Sequence, residues 1–285
     1  MPGAGPEESL RGERTAEDVP GRWPPEPGDH AAAMRRIADL PYRPTMGIPS
    51  AGRCLADLYL PDADEADCLV WFYGGGLTEG GKGGPGAPIL VPPGWALVCP
   101  DYRLLGHAPF PACIEDAAAS LAWAPGALAA HGVRCRRLFV GGISAGAYLT
   151  AMITLDRGWL AAYGATPDRL AGAFPLSGQM ASHFAYCASA GHRPGQVVVD
   201  RFAPLWHVRA DAPPLLLVTG DADIPCRLEE NRYLLAALRA AGHRHHSCHV
   251  IAGRDHGAMG NGLCDAADPV TRLMHAFLAR PDQDP

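Results

Sequence analysis

The sequence predicts an α/β fold, a mostly parallel central sheet of about eight strands with helices on both faces. Short apolar runs such as CLVWFY (Cys68–Tyr73) alternate with helical stretches along most of the chain. Several of these runs end in glycine-rich turns, as strands do when they feed a loop or a helix. With 285 residues, 48% of them hydrophobic, the chain suits one large α/β unit with a sizeable core. No internal repeat of fixed period interrupts the alternation.

Residues 1–27 are rich in Pro, Gly and charge and read as a disordered or loosely attached segment ahead of a single domain, 28–285. His30–Leu40 has the composition of a short helix, ended by Pro41–Pro44. Cys54–Leu60 alternates with strand period, and Asp64–Asp67 reads as a polar turn before the strand Cys68–Tyr73. Trp95–Cys99 is a further strand, and Pro111–Trp123 an Ala-rich helix. Arg137–Gly142 is a buried strand leading into a helix over Ala145–Asp156. Leu170–Leu176, Pro214–Thr219 and His246–Ile251 complete the strands, with helices over Leu228–Ala241 and Asp268–Ala279. Residues 179–209 show no period and read as an insertion lying over the sheet edge near the site.

The net charge of −6 supplies no basic excess to neutralise phosphates, so a nucleic-acid partner is not expected. No apolar run has membrane-spanning length, and the N-terminus lacks the apolar core of a signal peptide; a cytoplasmic setting without membrane attachment is the expectation. The nine cysteines are scattered with no C-x-x-C pair, which favours reduced thiols. His243, His245, His246, Cys248 and His249 fall on alternating strand faces, so they read as solvent-facing strand residues and no metal site is expected.

The chemistry concentrates at Gly142-Ile143-Ser144-Ala145-Gly146, a G-x-S-x-G between a buried strand and a helix. A strand-to-helix turn this tight needs small residues on both sides of the serine and lifts its hydroxyl clear of the sheet. The plainer alternative is a serine that only caps the helix. A nucleophilic serine needs a base, and His256 follows the last predicted strand in Gly253-Arg254-Asp255-His256-Gly257. The base needs an orienting acid, for which Asp223 is favoured over Asp221 because it lies farther past the strand end. Asp255, adjacent to the base, reads as a loop carboxylate. Backbone donors for an oxyanion are expected from Gly75, Gly76 and Ala145. Tyr73, Leu77, Gln179, His183, Phe184 and Trp206 are candidates for the substrate pocket.

The stretches WFYGGGLTEGGK, CPDYRL, FPACIEDAAASLAW, GGISAGAYL, LLLVTGDADIP and AGRDHGAM together resemble the α/β-hydrolase superfamily over about residues 52–280. More narrowly they resemble HGGG-type carboxylesterases of the hormone-sensitive-lipase-like and BD-FAE (acetyl/feruloyl-esterase-like) groups. The resemblance implies a cofactor-free serine hydrolase acting on a small-molecule carboxylic ester through Ser144, His256 and Asp223, and CPDYRL would support the nucleophile loop. The Gly-rich loop offers little apolar surface, which favours short acyl groups. An arylformamidase-like amidase and a non-catalytic binding protein of the same fold are the alternatives. Two departures stand out. Tyr73 replaces the His that precedes the three glycines, and its hydroxyl could hold the loop instead. Gly220–Pro225 also departs from the D-x-x-V-P form.

Overall fold

The computed structural model describes residues 34–44, 47–48, 51–83 and 87–280. The proposed N-terminal segment 1–27 lies outside the described residues. Eight strands form one sheet in the order β1-β2-β4-β3-β5-β6-β7-β8. They are β1 (Arg35–Pro41), β2 (Leu55–Leu60), β3 (Glu65–Phe72), β4 (Ala96–Pro100), β5 (Arg134–Ile143), β6 (Gly172–Leu176), β7 (Leu215–Gly220) and β8 (His246–Ile251). β1 pairs antiparallel with β2, and β2 with β4; from β4 across to β8 every pairing is parallel. The helices are α1 (Ala112–Ala130), α2 (Ala145–Leu155), α3 (Arg157–Ala161), α4 (Phe184–Ser189), α5 (Arg227–Ala240), α6 (His256–Asn261) and α7 (Pro269–Leu278).

Strand periodicity divides the core into two layers. On β3, Cys68, Val70 and Phe72 join a layer with Ile114, Leu121, Leu149, Ile153 and Leu234 from α1, α2 and α5. The alternate residues Leu69 and Trp71 join Met259, Val270, Met274 and Phe277 from α6 and α7 on the opposite face. A strand buried on both faces reads as an unbroken apolar run, which is why CLVWFY is so clear in the sequence.

Several boundaries differ from expectation. The described part of His30–Leu40 is strand β1, not helix; its backbone pairs with β2, and Ile37 and Leu40 pack on the core. Asp64–Asp67 is not a turn, because β3 starts at Glu65. Asp67 is buried there, held by Arg137 Nη2 at 2.6 Å and Arg136 Nε at 3.1 Å. Helix α1 runs on past Trp123 to Ala130 with Pro125 inside it. A proline there typically costs about 3 kcal/mol, and burial of Ala124, Ala127 and Leu128 around it offsets that cost. Residues 179–209 are not featureless: they contain α4 and a 3-10 turn, Pro204–His207. His243 is buried, its Nε2 within 3.0 Å of Ala212 O, rather than facing solvent. The described cysteines, Cys54 through Cys248, are free thiols. Among the described residues no helix is long and apolar enough to cross a membrane.

Candidate active site

The parallel strands β3, β5, β7 and β8 all end at the same rim of the sheet. From these ends come, in turn, the Gly-rich loop, Ser144, Asp223 and His256.

Ser144 stands between β5 and α2 with φ 55° and ψ −114°, backbone that L-residues avoid. Its amide donates to Leu176 O at 2.9 Å, which fixes the turn to the neighbouring strand. Its side chain makes no capping bond to α2, so it does not serve as an ordinary N-cap. The flanking glycines are sterically required. A Cβ on Gly146 would lie 2.1 Å from Phe72 O, and one on Gly142 would lie 2.5 Å from the Gly146 backbone. The helix thus starts against the end of β3, which only a bare backbone permits.

His256 is the first residue of α6, a short helix that the sequence pattern does not announce, and Asp255 caps it by accepting from Ala258 N at 2.7 Å. The cap sets the ring's direction. His256 Nε2 lies 2.9 Å from Ser144 Oγ, and Nδ1 lies 2.6 Å from Asp223 Oδ1. With the Nδ1 proton on the carboxylate side, Nε2 is free to accept the serine proton. Asp221 plays a different part. Its Oδ1 accepts from Gly253 N at 2.7 Å and anchors the loop that carries His256. Gly220 lets β7 approach that loop, since a Cβ there would lie 2.0 Å from Arg254 O. Burial pushes the Asp223 carboxyl up. The hydrogen bond and charge of His256, with the Ser177 hydroxyl and the Ile224 amide, outweigh that and leave it below its ordinary value.

The loop after β3 passes beside Ser144, and a Cβ on Gly74 would lie 3.3 Å from Ser144 Cβ. Gly75 and Gly76 have φ of 109° and 63°. Thr78 N and Glu79 N both donate to Gly75 O at 3.0 Å, closing the loop on itself. Among the described residues the N–H groups of Gly75 and Gly76 have no protein acceptor, and Ala145 N–H, at the first turn of α2, has none within its helix.

The expected pocket residues divide. Leu77 and His183 are fully buried and Tyr73 nearly so, which removes all three from a solvent-accessible lining. The Tyr73 ring stacks on Tyr102 with centroids 4.4 Å apart, and its hydroxyl donates to Asp101. The Tyr102 hydroxyl donates to Tyr73 O at 3.0 Å, so CPDYRL supports the Gly-rich loop rather than the turn at Ser144. Arg103 turns away to pair with Asp116 at 2.8 Å. His183 caps α4 through Nδ1, and burial, with the Arg227 charge, pushes its imidazole down to about 3. Gln179 is half-buried; its amide spans Ser182 O at 3.2 Å and Phe184 N at 3.1 Å. Phe184 is exposed, yet its ring edge lies 3.3 Å from where a Gly76 Cβ would be. Trp206 is exposed on the 3-10 turn, without a side-chain hydrogen bond or ring contact among the described residues. Glu230 Oε2 accepts from Met180 N at 2.7 Å and Ala181 N at 2.9 Å, fastening this wall to α5.

Comparison with known proteins matches the architecture. The model of the BD-FAE family fits residues 56–161, and that of the prolyl oligopeptidase family fits residues 115–279, more than half of the chain. The chain belongs to the prolyl oligopeptidase family. Its fold is that of the α/β-hydrolases, as the resemblance implied: Thermogutta terrifontis esterase 2 superposes with a TM-score of 0.67 at 22% identity, covering 90% of this chain and 96% of that one. Esterase LipQ of Mycobacterium tuberculosis is 26% identical over 241 residues, 76% of this chain and 56% of LipQ. Esterase LipI of the same organism is 32% identical over 138 residues, 43% of each chain. The family member described here thus spans about half the length of the two mycobacterial esterases it matches.

Proposed function

We propose that this protein is a serine esterase that cleaves small carboxylic esters through an acyl-enzyme. The observation that carries the reading is the continuous line of contacts from Asp223 through His256 to Ser144, set beside backbone N–H groups that have no protein acceptor among the described residues. In this reading His256 Nε2 takes the Ser144 proton as Oγ attacks the ester carbonyl. Asp223 holds the Nδ1–H and stabilises the imidazolium that forms. The N–H groups of Gly75, Gly76 and Ala145 receive the oxyanion. His256 then gives its proton to the departing alkoxide, and a water that it deprotonates attacks the acyl carbonyl and frees the acid. Residues 179–209 form the wall opposite the Gly-rich loop, with Gln179 and Phe184 beside the substrate. A loop made of glycine backbone, with Leu77 turned inward, supports a preference for short acyl groups.

Ester chemistry is favoured by the similarity to LipQ and LipI, and by the T. terrifontis esterase, which has been captured phosphorylated by paraoxon. Membership of a family named for oligopeptidases favours amide cleavage as the second reading. A panel of p-nitrophenyl esters of increasing acyl length, with matching p-nitroanilides, separates the two. Ester turnover is expected to exceed anilide turnover, to fall as the acyl chain lengthens, and to drop by about three orders of magnitude or more in Ser144→Ala. Faster anilide turnover would move the assignment to the amidase. Unchanged turnover in Ser144→Ala would defeat both, and a wild-type protein that no fluorophosphonate labels would be a binding protein of this fold.

A further inference from the structure

We infer that Arg53 is a positioning residue for the oxyanion loop, clamping both ends of Tyr73–Gly80 to the end of strand β4; the inference rests on the esterase reading above. A glycine-rich loop has much conformational freedom to lose, and its internal bonds close it on itself without fixing it to the sheet. Leu105 N ties the middle of the loop by donating to Leu77 O at 2.9 Å, and Arg53 ties its two ends. This arginine lies at the end of the 3-10 turn Ala51–Arg53, just before β2 and far in sequence from every catalytic candidate. A single nitrogen, Nη2, reaches three acceptors: the Tyr73 hydroxyl oxygen at 2.9 Å, Gly80 O at 2.9 Å and Asp101 Oδ1 at 2.7 Å. Tyr73 opens the loop, Gly80 closes it, and Asp101 follows β4.

The surrounding contacts make this a joint rather than a stray ion pair. The Tyr73 hydroxyl accepts from Arg53 and donates to the same Asp101 oxygen. Arg53 Nε donates to Tyr102 O at 3.2 Å, and the Tyr102 hydroxyl returns to Tyr73 O at 3.0 Å. Gly80 packs against the Tyr73 ring so closely that a Cβ there would lie 2.7 Å from it. Both loop ends therefore meet at one guanidinium, and the Asp101 carboxylate balances its charge. A lysine at this position would keep the charge, but it has no planar fork with which to hold the Tyr102 carbonyl as well.

The loop presents the N–H groups of Gly75 and Gly76, so its placement matters most when the carbonyl oxygen becomes an anion. Loss of the clamp should act on the transition state and spare ground-state binding. In Arg53→Met, kcat on a short p-nitrophenyl ester is expected to fall by about 10- to 100-fold, with KM within about two-fold. The inhibition constant of a trifluoromethyl ketone, whose adduct places an oxyanion in the same donors, should rise by the same factor as kcat/KM falls. The pH profile of kcat should not move, because the contacts of His256 are untouched. Tyr73→Phe should show the same pattern at smaller size, and the double variant should be no worse than Arg53→Met alone. Arg53→Lys, which keeps the ion pair, tests the inference should Arg53→Met fail to fold; its kcat should be intermediate at near-wild-type Tm. A fall in Tm with kcat and trifluoromethyl ketone affinity retained would show a merely structural role and overturn the inference. A wild-type protein that turns over no ester would instead overturn the esterase reading, so the two failures are distinguishable.

Discussion

The loop Tyr73–Gly80 and the segment 179–209 both border the turn at Ser144, yet they are held by different means. The first is a backbone device. Gly74 abuts the serine, Gly146 abuts Phe72 O, and the donors it offers are amides. The second is a side-chain device: Glu230 fastens it to α5, His183 caps α4 from a buried position, and Phe184 projects over Gly76. Where backbone touches backbone, adding one methyl group has nowhere to go. Where side chains meet, a substitution can be absorbed by neighbouring rotamers.

The sharpest way to break this contrast is Gly146→Ala. The added carbon would lie 2.1 Å from Phe72 O, so either α2 or the end of β3 must shift. The expected outcome is a loss of about 1–3 kcal/mol of stability and a fall of about 100-fold in kcat/KM as Ser144 leaves its position; denaturant titration and ester kinetics read the two. Near-wild-type kinetics would mean the elbow tolerates side chains after all.

A smaller effect is expected on the other wall. The folded imidazole of His183 titrates at about 3, against an ordinary value of 6.5. Above the ordinary value it is neutral in both states. Below it the unfolded chain takes up a proton that the folded chain refuses, so stability falls with pH from about 6.5 toward 3, by at most about 1.4 kcal/mol per pH unit. His183→Asn, which can still cap α4, should flatten that slope in urea titrations at pH 7 and pH 5 while leaving kcat at pH 7 within a few-fold. Smaller again, Phe184→Ala should raise KM for esters with apolar groups by a few-fold, about 1 kcal/mol, and leave kcat alone. A collapse of kcat would place the ring in the chemistry rather than at the rim.

The same contrast explains what could be read from the sequence. The elbow, the buried strands and the approximate places of Asp223 and His256 were legible because each is written locally: an apolar run, a small-residue turn, a polar residue just past a strand. His30–Leu40 has helix-forming composition, but in its described part pairing with β2 overrides it, and a positive φ of 59° at Asp39 falls where the register of β1 shifts. Helix α1 outlasts Pro125 because of what it packs against, which composition does not show. Arg53 had no local signal at all. Its partners lie 20, 27, 48 and 49 residues away, and only the sheet brings them together. Leu77, His183 and Tyr73 were assigned to the pocket from their neighbours in sequence, whereas the direction each side chain takes depends on the turn beneath it.

Ser144 holds a backbone shape that glycine adopts freely and serine does not, a strain of about 1–3 kcal/mol. Hydroxyl prominence and conformational ease therefore oppose each other at one position. Replacing Ser144 with glycine would relieve that strain and remove the hydroxyl in the same step.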